Sequence, residues 1–105
     1  MPTLSDRTYY LKSIDRLLGL AESSKLKIYG YAYYFSNNKH TAFIQFPYGT
    51  CLDDIKHFYN GAKKCFRNLT LSMGTTGPDT KQSMYPTIFI TDVVKQRNRH
   101  LKHNR

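Results

Sequence analysis

The run Lys27-Ile28-Tyr29-Gly30-Tyr31-Ala32-Tyr33-Tyr34-Phe35 constrains the fold more than any other stretch of the chain. Aromatic side chains at this density favour a strand. Strand alternation sends Lys27, Tyr29, Tyr31, Tyr33 and Phe35 to one face and Ile28, Gly30, Ala32 and Tyr34 to the other. Ser36-Asn37-Asn38-Lys39 is a polar turn, after which Thr41 to Phe46 alternates again. There Ala42, Ile44 and Phe46 share one face, and Thr41, Phe43 and Gln45 the other. Two alternating runs around a short Asn-rich loop predict a β-hairpin.

The flanking segments supply helices. Tyr10, Leu11, Ile14, Leu17, Leu18 and Ala21 recur at helical spacing, which predicts an amphipathic helix over residues 5–22. Ser5 is its expected N-cap, and Ser23-Ser24 its end. After Pro47 and Gly49, Thr50 followed by Asp53 matches a capping box, opening a second helix that Asn60-Gly61 should stop. Leu69, Leu71 and Met73 alternate in a third strand. Gly74 to Asp79 is a loop by composition, and Thr87 to Thr91 is a fourth strand. The order helix, strand, strand, helix, strand, strand predicts an α+β fold, a small antiparallel sheet with helices packed on one face. Residues 1–91 form the domain, and residues 92–105 a basic C-terminal helix or tail.

Sixteen Lys and Arg against seven acids give a formal charge of +9, which suits a polyanionic partner. No apolar run approaches the ~18 residues of a membrane span, and the polar N-terminus carries no signal-peptide core, so the expectation is a soluble intracellular protein with no membrane partner. Cys51 and Cys65 lack metal-ligand spacing and read as reduced, half-buried packing residues.

A sheet face of aromatics beside cations suits unpaired nucleic acid, with bases stacked on rings and phosphates held by Lys and Arg. The expected stacking residues are Tyr29, Tyr31, Tyr33 and Phe43. The expected phosphate contacts are Lys27, Lys39, Lys63, Lys64, Arg67, Lys95, Arg97 and Arg99. Aromatic strands also serve as core, in which case the same face would be structural.

From Lys39 onward the chain resembles the replication-initiator (Rep) endonuclease domains of small circular single-stranded DNA viruses, the circovirus-type HUH enzymes. The residues that carry the resemblance are His40-Thr41-Ala42-Phe43-Ile44-Gln45-Phe46, the helix ending Ile55-Lys56-His57-Phe58-Tyr59-Asn60-Gly61-Ala62-Lys63, and Gly74-Thr75 before Lys81-Gln82-Ser83-Met84-Tyr85. They span about half the chain. The resemblance implies a ferredoxin-like, Rep-like sandwich of viral origin, located in the nucleus or cytoplasm of a host cell. It also implies a divalent metal with His40 as a ligand, and Tyr85 as the nucleophile that attacks a DNA phosphate. This sequence departs from that pattern. Position 42 is Ala where the second ligand belongs, no acid lies in residues 23–52, and Tyr85 is followed by Pro86-Thr87-Ile88.

The sequence therefore predicts a small basic protein that binds single-stranded DNA or RNA without catalysis and needs no cofactor. Its rivals are a metal-dependent nicking enzyme, a homodimeric interaction module that buries the tyrosine face, and a viral inhibitor that docks on a host protein's acidic surface.

Overall fold

The computed structural model describes residues 4–77 and 84–91, with side chains from Asp6 onward. Six elements follow one another: α1 (Leu4–Ser23), β1 (Gly30–Ser36), β2 (Lys39–Gln45), α2 (Leu52–Cys65), β3 (Leu71–Thr76) and β4 (Tyr85–Ile90). The four strands form one sheet in the order β1-β2-β4-β3, with every neighbouring pair antiparallel. Moving β4 ahead of α1 would give the β-α-β-β-α-β order of ferredoxin-like folds. The expected α+β sandwich is present, in a cyclically permuted connectivity.

The hairpin is set by its turn. Ser36 pairs with Lys39, leaving Asn37 and Asn38 as a two-residue loop, and both carry positive φ, 53° and 58°. That is the type I′ geometry whose twist matches the flanking strands, and Asn tolerates it better than most residues.

Both helices lie on one face of the sheet. Tyr10, Ile14, Leu17 and Ala21 of α1 and Ile55, Phe58 and Ala62 of α2 are buried with Ala42, Ile44, Phe46, Leu71, Ile88 and Ile90 in one core. In β2 and β4 every second residue therefore points into the helices. The Tyr59 hydroxyl donates to the Leu71 carbonyl at 2.8 Å, tying α2 to β3. Leu11, counted in the apolar stripe of α1, is exposed.

Several local signals are overridden. Helix α1 already runs from Leu4, which places Ser5 inside it rather than at its cap. The Thr50 hydroxyl donates to the Pro47 carbonyl at 2.6 Å, so the capping box does not form and Cys51 takes the N-cap without a side-chain bond. Helix α2 runs through Asn60-Gly61 to Cys65, because Ala62 beyond them is fully buried in the core. The strand β3 extends to Thr76, through part of the segment read as loop. Cys51 and Cys65 are exposed, not half-buried. They bracket a helix that separates them by ~20 Å, far beyond disulfide reach.

The end of α1 is a Schellman motif. The Leu26 N–H donates to Ala21 at 2.9 Å and the Lys25 N–H to Glu22 at 3.1 Å. This puts Lys25 in the left-handed region at φ 60°, a conformation that favours glycine. Lys25→Gly is therefore expected to stabilise the fold by about 0.5–1 kcal/mol, read as a rise in thermal midpoint.

Candidate nucleic-acid interface

Register decides which aromatics share a face. Tyr31, Tyr33 and Phe35 stand opposite Ile44, Ala42 and His40, all on the helix side. Ala32 stands opposite Phe43, and Tyr34 opposite Thr41, on the open side. The expectation that Tyr31 and Tyr33 stack bases beside Phe43 is corrected accordingly. Tyr33 instead stacks on Tyr10 at 5.4 Å, and its hydroxyl meets His40 Nδ1 at 2.9 Å. Tyr31 is exposed, but at the sheet edge on the side of the helices.

Tyr29 departs from simple alternation. Its N–H donates to the Gln45 carbonyl at 2.7 Å, although Gly30 is the residue paired with Gln45. Two residues thus oppose one, as in a β-bulge. Beyond the end of β2 the Tyr29 ring stacks on Tyr85 of β4 at 4.2 Å, with an interplanar angle of 12°.

The open face reads in rows. Ala32, Phe43, Phe89 and Ser72 are register partners across the four strands. Phe43 and Phe89 lie on the two central strands with ring centroids 5.7 Å apart, edge to face. The next row is Gly30, Gln45, Thr87 and Gly74, and beyond it lies the Tyr29–Tyr85 stack. Gly74 matters sterically, since a Cβ there would come within 3.0 Å of the Phe89 ring. At the other end Tyr34 is half exposed. Phe89 escaped the sequence reading, although Thr87 and Phe89 alternate with Ile88 and Ile90 as Phe43 and Gln45 do with Ile44.

The cations divide between faces. Lys39, on the same alternation as Thr41 and Phe43, stands at the hairpin end of the open face, and Lys27 is exposed just before Tyr29. Lys63, Lys64 and Arg67 are exposed at and beyond the last turn of α2, on the helix side, with Lys63 Nζ 5.1 Å from the centre of the Tyr59 ring. Lys95, Arg97 and Arg99 lie outside the described residues, in the segment that starts just past Thr91 at the end of central strand β4.

His40 is buried, with its ring stacked on Tyr10 at 4.7 Å and tilted against Phe35 at 4.8 Å. With Nδ1 engaged by Tyr33 and Ala42 and Phe35 beside it, this surrounding does not fit a divalent ion. Among the described residues no three His, Cys, Asp or Glu side chains gather as a metal site. His40 lies two positions before Ala42, the partner of Ile90, while Tyr85 lies five before Ile90. That separates them by seven residues along antiparallel strands, or ~23 Å, on opposite faces of the sheet.

Comparisons with protein-family models, curated proteins and solved structures give no match for this chain. Among the described residues no helix is long and apolar enough to cross a membrane.

Two phenols titrate above the ordinary 10.0. Tyr33 is raised chiefly by burial, with Arg7 opposing and Asp6 reinforcing. Tyr85 is raised first by its hydrogen bond with the Tyr29 hydroxyl, then by desolvation and by repulsion from a Tyr29 phenolate. The folded state thus favours both neutral phenols, so stability held below pH 10.0 is expected to fall as pH rises through the raised values. Tyr29→Phe removes the largest cause at Tyr85. Its titration should then return toward the ordinary range, as read from tyrosinate absorbance of the folded protein.

Proposed function

We propose that this chain binds single-stranded nucleic acid on the open face of its sheet. The observation that carries the reading is the Phe43–Phe89 pair, adjacent on the two central strands and on the side away from both helices. Four-stranded sheets that present aromatics this way stack unpaired bases on them, whereas a duplex keeps its base faces closed. Tyr34 at one end and the Tyr29–Tyr85 stack at the other extend the aromatic surface along the strand direction.

Electrostatics support the same partner. The net charge of +9 draws a polyanion toward the whole molecule. Lys39 borders the open face, and the segment carrying Lys95, Arg97 and Arg99 begins at the end of a strand that forms it. Lys63, Lys64 and Arg67, on the helix side, act in this reading through the long-range field rather than through contact. The nicking reaction finds less support, because His40 and Tyr85 stand on opposite faces.

Anisotropy titrations of short labelled single-stranded DNA and RNA test the proposal. Phe43→Ala and Phe89→Ala should each weaken binding roughly 5- to 150-fold, the equivalent of ~1–3 kcal/mol per stacked base. Tyr31→Ala, which alters only the helix side, should leave binding unchanged. Binding should also fall steeply with added salt. Absence of binding to either nucleic acid at low salt would sink the proposal. Light scattering on the same samples reads out a dimer that occludes the face, with the same consequence.

A further inference from the structure

The middle of the aromatic face holds a polar device that stacking does not require. Gln45 Nε2 donates to Thr76 Oγ1 at 2.8 Å, Thr76 and Thr87 hydroxyls meet at 2.7 Å, and Thr87 Oγ1 donates to the Tyr85 carbonyl at 2.8 Å. Because the last acceptor is a carbonyl, the donations run one way: amide to Thr76, Thr76 to Thr87, Thr87 to backbone. The relay fixes the rotamer of the amide, with nitrogen toward β3 and Oε1 toward β1. There Oε1 lies over Gly30, only 3.1 Å from where a Cβ would sit, so no side chain of that residue covers it.

Gln45 Oε1 has no donor among the described residues, and no side-chain polar atom there is both buried and unpartnered. The oxygen is therefore open to solvent. It occupies the row between Phe43 and the Tyr29–Tyr85 stack, between the rings on which bases would rest. A base lying on either ring brings its edge toward a fixed acceptor.

We propose, resting on the single-strand reading of this face, that Gln45 selects bases with an amino group at purine C6 or pyrimidine C4, adenine and cytosine, over guanine, uracil and thymine, which carry a keto oxygen there. An amino group donates to Oε1. A keto oxygen at the same ring position sets two acceptors against each other, and the relay prevents the amide from turning its nitrogen outward without loss of the bond to Thr76. Once a base covers the oxygen, discrimination arises in this way, from a partner left unmet in the wrong complex.

Oligo(dC) and oligo(dU), which differ in this amino-to-keto exchange on one ring system, are the probes, titrated at neutral pH. The wild-type chain should prefer oligo(dC) by roughly five- to tenfold, the value of one neutral hydrogen bond. Gln45→Met should lower oligo(dC) affinity to the oligo(dU) level and leave oligo(dU) binding within about twofold. Thr76→Val, which releases the amide without removing it, should also erase the preference and serves if the methionine variant fails to fold. Equal binding of both oligomers by the wild type overturns the inference while the stacking proposal stands. Equal weakening of both by the two variants overturns it as well, since Gln45 would then be only structural. If neither oligomer nor any other single strand binds, the stacking proposal itself has failed, and the base preference falls with it.

Discussion

The register of the β1–β2 hairpin is the constraint on which the rest depends. A two-residue turn at Asn37-Asn38 pairs Ser36 with Lys39, and every later pair follows by subtraction. A slip of one residue would exchange the faces of a whole strand. Tyr33 would leave its contacts with Tyr10 and His40, and Tyr34 would enter the core in its place. Most hairpins are protected from such slips by a strand that is apolar on one side and polar on the other. β1 has less of that protection, because Tyr34 stands on the face opposite Tyr31, Tyr33 and Phe35. Turn chemistry and the hydroxyl bond to His40 therefore carry information that the alternation does not.

This explains what could and could not be read from the residues in order. Both helices, the four strands and their α+β arrangement follow from periodicity, since α1 and α2 carry clear stripes and the runs around Ile44 and Ile88 alternate cleanly. Face assignment in β1 does not follow. With aromatics on both sides, only cross-strand partners reveal that Tyr33 packs under α1 while Phe43 faces away. The bulge at Tyr29 is equally silent, because it depends on two residues sharing one carbonyl rather than on residue type. At Thr50 and Gly61 a genuine local signal is present and loses: a nearby carbonyl captures the hydroxyl, and burial of Ala62 outweighs the helix-breaking glycine.

The cyclic permutation has its own effect on the face. In the β-α-β-β-α-β order the chain enters through a central strand and leaves from an edge. Here β4 is central and last among the described strands, so the described chain ends beside the centre of the sheet rather than at its periphery.

Gly74 bears on how such a face would engage a ligand. By leaving room for the Phe89 ring to rest against the backbone of β3, it gives that ring a seat, with Phe43 bracing its other side. A side chain already confined in the free protein has little rotational freedom left to surrender on contact. The entropic penalty of ordering was met during folding, and a greater share of the interaction remains as affinity. An absent methyl group on an edge strand thus makes the centre of the sheet a preorganised surface.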